Sequence, residues 1–210
     1  NEYLTYKTLT SQTRALETTK KMLLDRDETI RTYLTALRMK LKETTGIIDY
    51  QQNLHYIKLD DEISWLTNHK KTIPSAATLD DLVKISTRTE EKRPDFEFLS
   101  YQVLGTIFKG KQTSLRDKVK ETIDNIETKI NLLREARVDT TVMERWLLEA
   151  KQKISRSEEK QTQALNVLSG MKASEKDKQK TYNDAQATFE ESNQYLKEAI
   201  SNLKEIIREI

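Results

Sequence analysis

Apolar residues recur every seven positions near the start of the chain, and this spacing strongly limits how the chain can fold. One row consists of Leu9, Leu16, Leu23, Ile30 and Leu37. A second row, four positions later, consists of Thr13, Lys20, Asp27, Leu34 and Leu41. Two rows with this spacing form the seam of a coiled-coil helix. We therefore expect one helix over residues 2–45, ended or kinked at Gly46 because glycine is favoured just past a helix end.

The same spacing returns in the last third of the chain. A run over 141–171 contains Met143, Leu147, Ala150, Ile154, Ser157, Gln161, Ala164, Leu168 and Met171. A run over 174–210 contains Tyr182, Ala185, Phe189, Ser192, Leu196, Ala199, Leu203, Ile206 and Ile210. Because only a short break at Ser169-Gly170 separates the runs, we expect an antiparallel hairpin of two helices. The spacing of Thr141 and Glu144 predicts a capping box at the start of the hairpin.

The stretch 47–110 has apolar residues that are denser, more aromatic and less regularly spaced. This pattern predicts a compact head of short helices. One helix is expected to end near Ile73-Pro74, a second to cover 79–87 with Thr78 as N-cap, and a third to cover 95–109.

Residues 86–95 predict an exposed loop, and residues 113–137 predict a further amphipathic helix. Charged residues make up 33% of the chain and hydrophobic residues 36%, which suits narrow apolar stripes better than one thick core. We therefore predict an all-α fold, an elongated antiparallel helical bundle or coiled coil with a smaller head of short helices. Its parts are a long N-terminal stalk helix (1–46), the aromatic-rich head (47–110) and a helical bundle that carries the hairpin (111–210).

Charge and composition limit the partners of the chain. Its 36 Lys+Arg and 34 Asp+Glu leave a net charge of +2, too small to recruit nucleic acid. The absence of cysteine excludes disulfides and thiolate metal sites. No run approaches the roughly 18 apolar residues of a membrane span, so we expect no direct membrane insertion. The start at Asn1 favours removal of a signal or anchor, and hence an extracytoplasmic over a cytoplasmic location, although a cloned fragment would start in the same way.

One string has the spacing of a phosphate-binding loop. Residues 105–111 match G-x-x-x-x-G-K, but Gln112 stands where that loop needs Ser or Thr to bind Mg²⁺. The loop also needs a preceding buried strand, whereas residues 96–108 fit helical spacing as well as alternation. We therefore interpret the string as a helix terminus at a glycine, followed by a solvated lysine, and we predict no nucleotide site and no cofactor.

The candidate groups for catalysis and metal binding are isolated in the sequence. No carboxylate lies one helical turn from His55 or His69, the only histidines, although a metal site would need such a neighbour. A serine hydrolase would need a strained turn such as G-x-S-x-G, and the chain contains no such string. We therefore predict no catalytic residues, no metal site and no enzyme activity, with both histidines at the surface or only partly buried.

Polar residues interrupt the apolar seams. They are Lys20, Asp27, Ser157, Gln161 and Ser192. Polar seam residues can fix the register and the choice of partner, or they can mark places where a helix is single and exposed to water. The second interpretation is favoured, because burial at such positions of a coiled coil is marginal.

Long seams without assembled chemistry predict a non-enzymatic structural or protein–protein interaction module. It would bind a protein partner or a second copy through its helices, for example as the soluble extracytoplasmic part of a membrane-anchored or exported assembly. The alternative is a ligand-sensing helical bundle, in which a small molecule shifts one helix against another. A module that coats membranes would need a basic face, which the charge balance disfavours. The candidate interaction or ligand surface consists of Tyr50, Tyr56, Trp65, Tyr101 and Phe108.

Overall fold

The structure is a computed structural model that describes Thr5 and residues 8–210. Its helices are α1 (Leu9–Glu43), α2 (Asp49–Lys70), α3 (Leu79–Glu135), α4 (Thr141–Gly170) and α5 (Lys178–Glu209). No β-strand occurs in this described part of the chain. The predicted all-α fold class is therefore confirmed.

Contacts between residues divide the chain into two compact units. Unit 1 contains α1, α2 and the part of α3 up to Val103, and unit 2 contains residues 44–48 and the chain from Leu104 onward. The three-part division at residues 46 and 110 stays a prediction, because a domain is defined by independent folding and contacts alone do not test that.

The prediction of short helices within 79–109 is wrong, because α3 is one continuous helix of 57 residues. Residues 86–95, which the sequence predicts to be a loop, lie inside it. Two features make this helix difficult to recognise from the sequence. Its buried face includes a polar residue, Thr89, and its interior contains Pro94, which cannot donate a main-chain hydrogen bond. Residues 90–93 are Glu, Glu, Lys and Arg, which favour helix, and the helix therefore continues up to Pro94.

The predicted cap at Thr78 is confirmed. The main-chain N–H of Asp81 donates to Thr78 Oγ1 at 3.1 Å, and the N–H of Thr78 donates back to Asp81 Oδ2 at 3.0 Å. The hydrogen bond from Thr78 also holds the pKa of the Asp81 carboxyl below its usual value. This reciprocal pair satisfies two donors at the start of α3 and fixes where the helix begins.

The capping box predicted at the start of α4 is wrong in its partners. The helix does begin at Thr141, but the N–H of Thr141 donates to Asp139 Oδ1 at 3.0 Å. Glu144 instead accepts a hydrogen bond from Thr140 Oγ1 at 2.8 Å. Asp139 therefore replaces the Glu144 carboxylate as the acceptor for the Thr141 N–H, and the N–H of Glu144 donates to the main-chain oxygen of Thr140 at 2.9 Å.

In unit 1, α1 and α2 are antiparallel. Arg38 donates from Nε and Nη2 to the Asp60 carboxylate at 2.6 and 2.9 Å, and Lys70 donates to Glu28 at 2.5 Å. The later residue of α1 thus pairs with the earlier residue of α2, as antiparallel helices require. The first part of α3 packs against both. The buried apolar residues of this unit are Leu23, Leu34, Leu37, Leu41, Leu59, Leu66, Ile73, Ala76, Leu82, Ile85, Phe96, Leu99 and Val103.

In unit 2, the end of α3 packs with α4 and α5. Ion pairs of 2.5 Å join Lys153 to Glu198 and Lys160 to Glu191, so that α4 and α5 are antiparallel, as the short break between the two runs predicts. One apolar cluster takes four residues from each helix: Val119, Ile123, Ile126, Ile130, Met143, Leu147, Ala150, Ile154, Leu196, Ala199, Leu203 and Ile206.

Two glycines bring the chain after α1 close to α3. Gly46 has a φ of +77°, which confirms the predicted end of the first helix. A Cβ on Gly46 would overlap the main-chain oxygen of Gly110 and lie 2.9 Å from Ser114 N. A Cβ on Gly110 would lie 2.5 Å from Ile47 Cγ1. The expected helix terminus at Gly110 is therefore wrong. This glycine lies inside α3 and serves close packing, and the helix predicted over 113–137 is the last part of α3.

We expect Gly46→Ala to lower the free energy of unfolding by about 2 kcal/mol or more, because alanine is strained at positive φ and its methyl group would meet the backbone of Gly110. Gly170→Ala is the matched control, since a Cβ there meets nothing within 4 Å. Its effect should stay within about 1 kcal/mol. Urea unfolding followed by circular dichroism measures both, and equal effects of the two substitutions would contradict this packing.

Candidate functional site

A buried ion pair lies at the centre of unit 1. Asp27, from the seam of α1, is fully buried, and His69, near the end of α2, is 6% exposed. His69 Nδ1 lies 2.6 Å from Asp27 Oδ2, and His69 Nε2 lies 3.1 Å from the main-chain oxygen of Ile85 on α3. The prediction of a surface or partly buried histidine is therefore wrong for His69. Its carboxylate partner comes from another helix, which a search within one turn of α2 could not find.

The two contacts define the protonation of the ring. A carboxylate oxygen and a carbonyl oxygen only accept hydrogen bonds, so the ring of His69 donates from both nitrogens. With Asp27 ionised, this geometry fits an imidazolium whose charge is matched by Asp27. With both nitrogens occupied in this way, the ring has no lone pair with which to take a proton from a substrate.

Neighbouring side chains enclose the pair. Arg26 Nε donates to Asp27 Oδ1 at 3.1 Å, and Arg26 Nη1 donates to Ser86 Oγ at 2.9 Å on α3. Thr89 Oγ1 lies 3.4 Å from Asp27 Oδ1. The indole of Trp65 stacks on the His69 ring with 4.6 Å between ring centroids. Each of the three helices thus contributes polar contacts to one buried cluster, which links them to one another.

A second polar cluster lies in unit 2. Ser157 and Ser192 are fully buried and their hydroxyls lie 3.0 Å apart, and Ser192 Oγ also donates to the main-chain oxygen of Ser157 at 2.8 Å. Gln112 donates to the main-chain oxygen of Phe189 at 2.7 Å. Gln161 Nε2 donates to Gln112 Oε1 at 3.3 Å. The residue that breaks the phosphate-loop pattern is therefore a buried link between α3, α4 and α5.

These contacts correct the favoured interpretation of the polar seam residues. Asp27, Ser157, Gln161 and Ser192 are buried and hydrogen-bonded to other helices, whereas Lys20 pairs with Glu17 one turn away on α1. Four of the five positions are thus buried contacts between helices, and the expectation of wet, single helices is wrong for them. Buried polar groups need partners in one alignment only, so they oppose a shift of register.

Arg116 is the least satisfied member of the second cluster. It is 5% exposed, and its Nη1 donates to Gln161 Oε1 at 3.1 Å. Its Nε and Nη2 are buried without a hydrogen-bond partner among the described residues. The nearest carboxylate, on Glu158, lies 3.8 Å from Nε and is already bound by Lys120 at 2.5 Å. Burial lowers the pKa of Arg116 from its usual value, since the charged form loses hydration.

The five aromatic residues of the predicted surface occupy different places. Tyr50 is 75% exposed on the first turn of α2, and Tyr56 packs under the guanidinium of Arg38. Trp65 stacks on the buried histidine, as given above. Tyr101 lines a groove in unit 1, and Phe108 lies in unit 2, where it stacks on Phe189 at 5.8 Å. They do not line one common cavity, and their role in binding stays a prediction.

The outer face of α2 carries an apolar stripe. Tyr50, Leu54 and Ile57 are spaced i, i+4, i+7 and are 75%, 40% and 61% exposed. The opposite face of the same helix buries Leu59 and Leu66 completely. Farther along the outer face, Asp61, Ser64 and Asn68 are exposed and polar. The outer face of the helix is therefore apolar over its first two turns, in addition to the packed face farther along, although a helix with one packed face needs only one apolar stripe.

The described residues contain no group of three or more His, Asp or Glu side chains placed to hold a metal ion. Within the same residues, no helix combines the length and the apolar character needed to cross a membrane. Comparison with protein-family models, curated proteins and solved structures finds no match to the chain.

We expect Asp27→Asn to lower the free energy of unfolding by about 3–5 kcal/mol, because it leaves the buried imidazolium without a counter-charge. Asp25→Asn is the control, since Asp25 is exposed on the same helix. Thermal and urea unfolding measure both variants. If the two substitutions had the same small effect, the pair would not hold unit 1 together.

For unit 2, we expect Arg116→Met to be neutral or stabilising, because it removes a poorly paired buried charge and keeps the aliphatic packing. Gln161→Met should instead cost about 1–3 kcal/mol, because it removes the hydrogen bonds that Gln161 makes with Arg116 Nη1 and with Gln112 Oε1. Urea unfolding tests the order of the two effects, and a larger loss for Arg116→Met would contradict it.

Proposed function

We propose that this chain is a non-enzymatic interaction module that binds another polypeptide through the outer face of α2. The exposed stripe of Tyr50, Leu54 and Ile57 carries this proposal. Single exposed apolar residues are common on protein surfaces and need no explanation. Three of them aligned on one helical face, opposite the packed face, form a continuous apolar patch of the kind that marks interaction sites.

The spacing of the stripe suggests the partner. Residues at i, i+4 and i+7 are the anchors with which a helix docks against another apolar helical surface. Tyrosine adds a large, rigid contact area at low entropic cost, which is typical of the centre of an interface. The expected partner is therefore an apolar helix face, on a second copy or on another protein.

The buried polar clusters support a role without catalysis. His69, the best candidate for a general base, donates from both nitrogens to groups within unit 1. Gln112, Ser157, Gln161 and Ser192 are likewise bound to one another or to the main chain. These groups stabilise helix packing and are not arranged around a space for a substrate. A place for the chain in a membrane-anchored or exported assembly stays a prediction.

A photo-reactive phenylalanine analogue at position 57 tests the proposal in cells that naturally make the protein. We expect one discrete cross-linked product, whose mass identifies a second copy or another protein. The same analogue at position 68 is the control, because Asn68 is exposed on the same face of α2 beyond the stripe. Leu54→Gln should abolish the product formed at position 57, because it removes the middle anchor.

Absence of a product at position 57, or equal products at positions 57 and 68, would overturn the proposal. Circular dichroism of the Leu54→Gln variant shows whether the helices are kept, so that loss of the product reports the interface and not the fold.

A further inference from the structure

The groove between α1 and α3 in unit 1 has the size of a small-molecule site. Its volume is about 510 Å³, within the range of roughly 300–1,000 Å³ that is usual for ligand pockets. The buried side chains of Leu34, Thr89, Phe96 and Ser100 form the floor, and Tyr33 and Tyr101 lie among the other groups that line the groove. The outer face of α2 does not take part, so this site is separate from the proposed interaction surface.

The small size of Ser100 leaves room on the groove floor. Ser100 is 6% exposed, and its hydroxyl donates to the main-chain oxygen of Phe96 at 2.7 Å, within its own helix. It therefore presents little polarity to the groove, and its short side chain leaves space that a leucine would fill. The hydroxyl of Thr89 lies 3.4 Å from Asp27 Oδ1, so the floor below a ligand is mainly apolar.

The charged residues at the groove neutralise one another. Arg26 pairs with Glu90 at 3.3 Å, and Arg93 pairs with Glu97 at 2.9 Å and with Glu90 at 3.8 Å. Arg26 is also held by Asp27, as described above. A charged ligand would have to displace one of these pairs or enter the apolar floor without a counter-ion, and both are costly. The lining thus disfavours anions and cations alike.

We infer that the groove binds an uncharged, planar aromatic molecule. Apolar walls of Leu34 and Phe96 bury its ring system, and Tyr33 and Tyr101 offer aromatic faces against which a flat ring can stack. A molecule of two or three rings matches the volume. The site requires no reaction, and it adds a small-molecule ligand to a module that is proposed to bind protein.

Two fluorescent probes with nearly the same rings test the charge requirement. N-phenyl-1-naphthylamine is uncharged, and 8-anilinonaphthalene-1-sulfonate carries one negative charge. We expect the uncharged probe to bind the full chain saturably with one site, and the anionic probe to bind at least about tenfold more weakly, since its sulfonate finds no free cation.

Matched substitutions on α1 locate the binding. Thr29 is exposed and lines the groove, so Thr29→Trp should block it and raise the Kd of the uncharged probe by about tenfold or more. Thr32 is exposed on the same helix and does not line the groove, so Thr32→Trp should leave the Kd unchanged. If Thr29→Trp fails to fold, Tyr33→Ala replaces it and should also weaken binding.

Lack of saturable binding, equal affinity for both probes, or an unchanged Kd in the groove variants would overturn the inference. Leu54→Gln separates this outcome from failure of the proposed interaction, because it alters the α2 stripe alone and should leave probe binding intact.

Discussion

The contact between Asp27 and His69 is the interaction on which unit 1 most depends. A buried carboxylate and a buried imidazolium are each costly alone, and they are tolerated because they lie 2.6 Å apart and share further hydrogen bonds. The histidine also donates to Ile85, so the pair links α1, α2 and α3 in one alignment. Leucine side chains supply most of the buried apolar surface, but their contacts are not directional and allow more than one register. The ion pair forms only when its two side chains face each other, and it therefore defines the register of the three helices.

Unit 2 uses uncharged groups for the same purpose. Ser157 and Ser192 bring α4 and α5 together at a point where their side chains are short, and Gln112 ties α3 to α5. In both units the polar positions stand within an otherwise apolar seam. Polar seam residues lower the gain from burial but select one arrangement among several of similar apolar contact. Arg116 is a buried polar residue that is only partly paired, because two of its nitrogens have no hydrogen-bond partner among the described residues.

The seven-residue spacing allowed the all-helical fold and the buried positions of α4 and α5 to be predicted, and the glycine at position 46 allowed the end of the first helix to be predicted. It could not reveal α3 as one helix, because Thr89 and Pro94 break the pattern that marks a helix in sequence. Nor could it pair Asp27 with His69, since that requires the alignment of α1 against α2. A carboxylate at a seam position does signal that a partner is needed, and His69 was a possible one. The groove between α1 and α3 depends on side-chain volumes at Ser100 and its neighbours, which spacing alone does not determine.

Because the buried polar groups bind one another, the proposed binding sites are on the surface, at the α2 stripe and in the α1–α3 groove. Both surfaces require the helices of unit 1 to keep one alignment, so the protonation of His69 is the most direct test. Nitrogen-15 NMR of the imidazole ring should show two protonated nitrogens, with hydrogen-bond couplings from Nδ1 to the Asp27 carboxylate and from Nε2 to the Ile85 carbonyl. A ring with a single N–H, or with both nitrogens exchanging freely with water, would contradict the account.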